Sequence, residues 1–166
     1  MILGMSVPAF TDFHVALSLI GLLSGAIVLL GMLKDRRLPG WTAVFLVTTI
    51  ATSATGFLFH FTSFGPPEIV GVISLVVLAA AVAALYGYHL SGAWRSVYVV
   101  SALFALYLNA FVGVVQAFQK IPTLHALAPL GNEPPFLVAQ SILLVLFVLA
   151  GILSLRRFHP MPVAAT

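Results

Sequence analysis

The chain has 166 residues, of which 61% are hydrophobic and only 7% are charged. An ordinary soluble domain carries about 25% charged residues, so four acidic and seven basic side chains are too few to cover a globule of this size in water. The net charge of +3 comes from dispersed residues and excludes a nucleic-acid-binding stripe, and the absence of cysteine excludes disulfides, thiolate metal sites and thiol catalysis.

Five apolar stretches, each about as long as the roughly 20 residues that a helix needs to cross a bilayer, predict membrane spans. In chain order they cover 14–33, 41–61, 69–90, 97–118 and 136–155. The four connections between them contain charged residues, proline or glycine, each of which disfavours a continuous helix. Because backbone polar groups in lipid must be satisfied within the segment, the sequence predicts an all-α, five-helix bundle that forms one transmembrane domain over 1–166.

The basic residues lie on one side of this predicted topology. Six of the seven are found in the first connection, in the third connection and after the last span: Lys34, Arg36, Arg37, Arg95, Arg156 and Arg157. Only Lys120 lies on the other side. Since basic residues are enriched in cytoplasmic segments, the sequence predicts an N-terminus outside and a C-terminus in the cytoplasm.

Polar side chains are predicted to meet in the outer half of the bundle. Asn109, Gln116 and Lys120 follow one face of the fourth predicted helix, and Gln140 lies near the outer start of the fifth. Uncharged amides bind the carbonyl or hydroxyl of a quinone-like or lipid ligand without the cost of a buried charge. We therefore expect these four side chains to line a ligand-binding pocket open to the outer side. A structural amide network, with Lys120 snorkelling to the interface, is the alternative.

Two histidines end the polar faces of the first and second predicted helices. His14 and His60 should lie at similar depth on antiparallel neighbours, where imidazoles ligate a transition metal or the iron of a b-type haem. The pair lacks a compact spacing such as H-x-x-E-H, so a second interpretation, two half-wet interfacial histidines, stays open. The sequence assigns no catalytic residue, because it has no nucleophile elbow and no acidic residue inside a predicted span.

The segments 52–61, 118–122 and 133–136 resemble small bacterial inner-membrane proteins that have no established function. The resemblance implies a bacterial cytoplasmic membrane and transfers no site residue. The leading hypothesis is a protein that binds a small ligand, metal or redox cofactor, in electron transfer or as an accessory subunit beside a membrane partner. The alternatives are a non-enzymatic scaffold or homo-oligomer assembled through small-residue helix faces, and a channel or transporter.

Overall fold

The computed structural model of the chain describes residues 1–59 and 65–160. Of these residues 80% are helical, and none belongs to a strand. The helices are α1 (Val7–Leu33), α2 (Pro39–Gly56), α3 (Pro66–Val82), α4 (Trp94–Lys120), the short α5 (Pro122–Leu127) and α6 (Pro134–Arg157). A π-helical turn at Ala83–Gly87 continues α3. The prediction of an all-helical protein is therefore confirmed.

Prolines and capping side chains mark where the helices begin. Every α-helix except α4 has proline in its first turn, where the missing N–H has no helical partner to lose. At the start of α1, Ser6 Oγ accepts a hydrogen bond from Ala9 N (3.3 Å). At the start of α3, Glu68 Oε2 accepts one from Gly65 N (2.8 Å). These caps satisfy backbone donors that a helix leaves free at its first turn.

Four of the described helical segments are long and apolar enough to cross a membrane. They are Val7–Leu33, Pro66–Gly87, Trp94–Lys120 and Pro134–Arg157. They contain or overlap the predicted spans 14–33, 69–90, 97–118 and 136–155. The remaining prediction, 41–61, corresponds to α2, which ends at Gly56 and carries five threonines. That helix is not one of the four.

The helices form a ring of four with a fifth packed outside it. Each of α1, α2 and α3 packs on the next helix in the chain, α4 closes the ring against α1, and α6 packs on α1 and α4. In an apolar 18-residue stretch of α4 half of the residues are buried, compared with 6% in the corresponding stretch of α6. Gly25 permits the close approach of α1, since a Cβ there would lie 2.5 Å from Leu106 Cδ1 and 2.9 Å from the Phe45 ring. The last helix is therefore the least covered by the rest of the chain.

Hydrogen bonds join three helix ends at one end of the bundle. Arg95 Nη1, at the start of α4, donates to the carbonyls of Leu155 (2.9 Å) and Phe158 (2.7 Å) at the end of α6. Asp35 Oδ1, just after α1, accepts from His159 N (2.7 Å). The segments that carry the six basic residues on the predicted cytoplasmic side therefore lie together. We call this end, which holds Lys34, Arg36, Arg37, Arg95, Arg156 and Arg157, the basic end, and the other the opposite end.

Candidate functional site

The central polar contact of the bundle joins α1 to α4. Ser18 Oγ donates to Asn109 Oδ1 (2.8 Å), and Asn109 Nδ2 donates to Ser18 O (3.2 Å). Asn109 is only 8% exposed. Gly21 leaves room for this amide, because a Cβ there would lie 3.2 Å from Asn109 Nδ2 and 3.0 Å from Thr49 Oγ1. Both polar atoms of the predicted ligand-binding amide are thus bonded to the neighbouring helix.

His14 is oriented by a threonine of α2. Its Nδ1 lies 2.8 Å from Thr55 Oγ1, and that hydroxyl donates its proton to Ala51 O (2.7 Å). A threonine hydroxyl has one proton, so when Thr55 donates it to Ala51 O, His14 Nδ1 is the donor and the lone pair of the neutral ring is on Nε2. Phe59 packs edge-on against the ring, with 5.3 Å between centroids. The same arrangement, with one ring nitrogen donating to a fixed acceptor, orients histidines that ligate metals through the other nitrogen.

The predicted partner of His14 cannot be compared with the structure, since His60 lies outside the described residues. Within residues 1–59 and 65–160, no three histidine, aspartate or glutamate side chains are arranged to hold a metal ion. The paired-histidine site for a transition metal or b-type haem therefore stays a prediction.

The other three predicted site residues are not joined to Asn109 by the hydrogen bonds of the described chain. Gln140 Nε2 donates to Phe111 O on α4 (3.2 Å), and its buried Oε1 has no hydrogen-bond partner among the described residues. Gln116 and Lys120 are exposed on the last turns of α4. The amides thus form separate contacts, α1 with α4 and α4 with α6, which is the pattern expected of interhelical packing in a membrane.

A cavity of about 320 Å³ lies at the basic end, where the sequence predicted only an interface. Its wall is mainly apolar and includes Val28 and Met32 of α1, Leu85 of the π-turn, Leu90 and Phe158. Small-molecule pockets have volumes of about 300–1,000 Å³ and walls of this composition. Size and lining therefore both fit a small ligand.

A few polar groups line the same cavity. Tyr98 and Thr42, on α4 and α2, are 2% and 6% exposed. Arg36, Arg37 and His89 supply groups that are cationic or become so on protonation. An apolar chamber with a small number of polar groups is the usual form of a site that fixes the orientation of a ligand.

Unusual backbone geometry shapes one wall of this cavity. The π-turn at Ala83–Gly87 widens the end of α3, and His89 and Leu90 follow in the left-handed region with φ of 49° and 59°. Leu90 N donates to Ala84 O (3.0 Å), which ties the segment back to the turn. Both features cluster at functional sites in proteins. Neither the π-turn nor the left-handed residues can be recognised from hydropathy, so the sequence did not predict the cavity.

A smaller cavity of about 170 Å³ lies at the opposite end, between α4 and the segment that precedes α6. Phe118, Phe136 and His125 contribute to its lining. None of the residues predicted to bind ligand or metal in the described part of the chain lines either cavity.

Comparison with protein-family models, with curated proteins and with solved structures gives no match to this chain.

Proposed function

We propose that the chain is a five-span integral protein of a bacterial inner membrane, with its N-terminus outside and its C-terminus in the cytoplasm. The meeting of helix ends at the basic end supports the count. Since α1 ends and α4 starts there, α2 and α3 together must lead away and return. With α3 long enough to cross, α2 supplies the other crossing, and the basic end faces the cytoplasm by the excess of Lys and Arg.

Three of the five threonine hydroxyls of α2, those of Thr48, Thr52 and Thr55, donate to carbonyls of the same helix, which makes them compatible with lipid. The hydroxyl of Thr49 is instead buried beside Gly21 of α1, with no hydrogen-bond partner among the described residues. Thr48 Oγ1 donates to Val44 O (2.7 Å) and Thr52 Oγ1 to Thr48 O (2.8 Å). Eighteen residues rise by about 27 Å, close to the roughly 30 Å hydrocarbon core of a bilayer. The length of α2, three internally bonded threonine hydroxyls and the packing of one side against α1 support its assignment as the fifth crossing.

We infer that the protein binds a small amphiphilic molecule and acts as an accessory membrane subunit. The observation that carries this proposal is the 320 Å³ cavity at the basic end. Its walls come from α1, α2, α4 and the π-turn, so the relative placement of these helices sets its shape. The contacts of Asn109 with Ser18 and of His14 with Thr55 fix that placement from the other half of the bundle. In this proposal they are positioning contacts, which keep the cavity formed before the ligand arrives.

Native mass spectrometry of the full-length protein, released from its membrane in mild detergent, tests this function. We expect a retained small molecule in the wild type and its loss from Val28→Phe, which adds volume at the cavity wall. Val100→Phe is the matched control on a 55% exposed position of α4 and should retain the molecule. A wild-type protein without a bound molecule, or a Val28→Phe variant that melts normally and still retains it, contradicts the proposal.

The exposed surface of α6 favours a second candidate, a scaffold that assembles with another copy or with a membrane partner. Leu144, Val145, Val148 and Ile152 are between 43% and 56% exposed. The glycines Gly21 and Gly25, by contrast, already pack inside the chain. Assembly would therefore use this aliphatic surface rather than the predicted small-residue faces. A defined dimer or larger species in mild detergent supports this candidate, and a monodisperse monomer without partners opposes it.

A further inference from the structure

Positive charge is concentrated at the cavity of the basic end. Arg36 and Arg37 both line it. The basic end carries six Lys and Arg residues and one of the four acidic residues of the chain. That residue, Asp35, uses Oδ1 to accept from the backbone N–H of His159. The local field is therefore strongly positive, and it favours a ligand with negative charge.

The apolar wall of this cavity, beside Arg36 and Arg37, suits the apolar part of the same ligand. Val28, Met32 and Phe158 are buried residues of the main core and also line the cavity. An inorganic anion alone would gain nothing from this wall, because apolar burial stabilises only apolar surface. A neutral hydrocarbon would leave the arginine pair unused. The lining as a whole fits a molecule with both an anionic and an apolar part.

Arginine and tyrosine supply the donors that such a headgroup needs. The guanidinium of Arg37 is planar, always charged and matched to phosphate oxygens. Tyr98 and Thr42, which are both buried, line the same cavity and carry hydroxyl groups. They offer hydrogen bonds to the polar junction between the headgroup and its tail.

Building on the proposed ligand-binding function, we propose that the cavity binds an anionic, phosphate-bearing amphiphile. The phosphate lies against Arg36 and Arg37, and the tail enters the apolar chamber toward Val28 and Leu85. The shared chemistry is a phosphate group, which a membrane phospholipid or a free phosphate compound in the cytoplasm can supply.

Quenching of tryptophan fluorescence by brominated lipids measures this binding on the full-length protein in detergent. The two tryptophans of the chain, Trp41 and Trp94, lie near the basic end, since one precedes Thr42 and the other stacks on Tyr88 at 3.7 Å. Neither lines the cavity, so the readout is the difference in quenching between lipids and between variants, from which the quenching by bulk lipid cancels. We expect brominated phosphatidylglycerol to quench at lower concentration than brominated phosphatidylcholine. Each of the two arginines should contribute about tenfold to this preference, the effect of one hydrogen bond to a charged group.

Three variants separate the cavity from the general field of the basic end. Arg36→Gln and Arg37→Gln should each weaken phosphatidylglycerol quenching about tenfold, because each loses a hydrogen bond to the phosphate. Arg157→Gln removes a charge from the same end at a residue that does not line the cavity, and it should weaken quenching by no more than about fivefold, the general effect of one basic residue near an anionic lipid surface. An equal loss in all three variants overturns the assignment to the cavity. Circular dichroism of each variant excludes misfolding as the cause of a loss.

Two further measurements separate a failure of the anionic-ligand proposal from a failure of the binding function, and identify the source of the phosphate group. Equal quenching by both lipids, abolished by Val28→Phe, overturns the anionic ligand and leaves the proposed binding function intact. Quenching unaffected by Val28→Phe overturns the binding function itself. Relief of phosphatidylglycerol quenching by a millimolar, water-soluble short-chain alkyl phosphate supports a free phosphate compound as the source, and quenching that persists supports a membrane lipid.

Discussion

The hydrogen-bonded pair between α1 and α4 should contribute a measurable coupling energy. Ser18→Ala removes the bond from Ser18 Oγ to Asn109 Oδ1, while Asn109→Ala also removes the bond from Nδ2 to the Ser18 carbonyl. Hydrogen bonds between membrane helices contribute about 0.6 kcal/mol on average and about 1.7 kcal/mol at most. We expect Ser18→Ala to lower the free energy of unfolding by that amount and Asn109→Ala by roughly twice as much.

In Asn109→Ala, a new hydrogen bond of the Ser18 hydroxyl limits the loss in free energy of unfolding. Without Asn109, the Ser18 hydroxyl can donate to the carbonyl four residues earlier, as Ser24 does with Ile20 O (2.6 Å). The double variant should therefore cost no more than Asn109→Ala alone. In a double-mutant cycle this gives a coupling energy of about 0.6–1.7 kcal/mol.

Equilibrium unfolding of the full-length protein in mixed micelles, followed by circular dichroism, measures these values. Ser141→Ala is the matched control, since that exposed hydroxyl donates to Leu137 O within α6 (2.7 Å) and joins no second helix. We expect it to change the unfolding free energy little. A coupling energy near zero between Ser18 and Asn109 would refute the contact as a determinant of helix placement.

Other features of the fold lead to three more predictions. Gly25→Ala should lower the melting temperature, because a misplaced Cβ in a packed core costs about 1–3 kcal/mol, more than the roughly 0.5–1 kcal/mol gained in helix propensity. Gly151→Ala is the control and should not lower it, since its Cβ would lie 3.9 Å from the nearest atom, Leu103 Cδ1. Equal losses of melting temperature in the two variants would contradict the packing described for Gly25. Hydrogen bonds from backbone N–H groups, that of Leu130 above all, hold the pKa of the exposed Glu133 carboxyl below its usual range. The folded pKa is thus lower than the unfolded one, so the turn before α6 is stabilised above the unfolded pKa and loses that contribution as pH falls through the folded value. The protection of the Leu130 amide, measured as its exchange rate relative to that of an unstructured peptide at the same pH, should therefore fall with acid in the wild type and be independent of this titration in Glu133→Gln. The haem hypothesis predicts a Soret band in the purified protein that His14→Ala abolishes, and a colourless, metal-free preparation contradicts it.

Hydropathy located most of the helices but not how they begin and end. The first span was predicted as 14–33, whereas α1 begins at Val7 because Ser6 caps a turn that hydropathy does not register. The third was predicted to run to Leu90, yet regular helix ends at Val82 and a π-turn follows. Hydropathy measures transfer to lipid, and both boundaries depend instead on backbone hydrogen bonding.

Side-chain type alone did not reveal which polar groups are free. Asn109 and Gln140 are predicted to bind a ligand because uncharged amides can pair with a carbonyl or hydroxyl without the cost of a buried charge, and in the structure both also form contacts between helices. From the sequence, Arg36 and Arg37 predict only the orientation of the chain in the membrane. Their place beside a cavity depends on helix crossing and on the left-handed residues His89 and Leu90. These are tertiary properties that one sequence does not display.

Photo-crosslinking from the cavity wall is the most direct test of the ligand-binding account. A photoreactive amino acid at Leu85, which lines the cavity, is compared with the same group at Val76, a 64% exposed position of α3. We expect the first to capture one discrete small amphiphile from the native membrane and the second to capture the bulk lipid mixture. The same mixture at both positions would mean that the cavity selects no ligand, and would contradict the account.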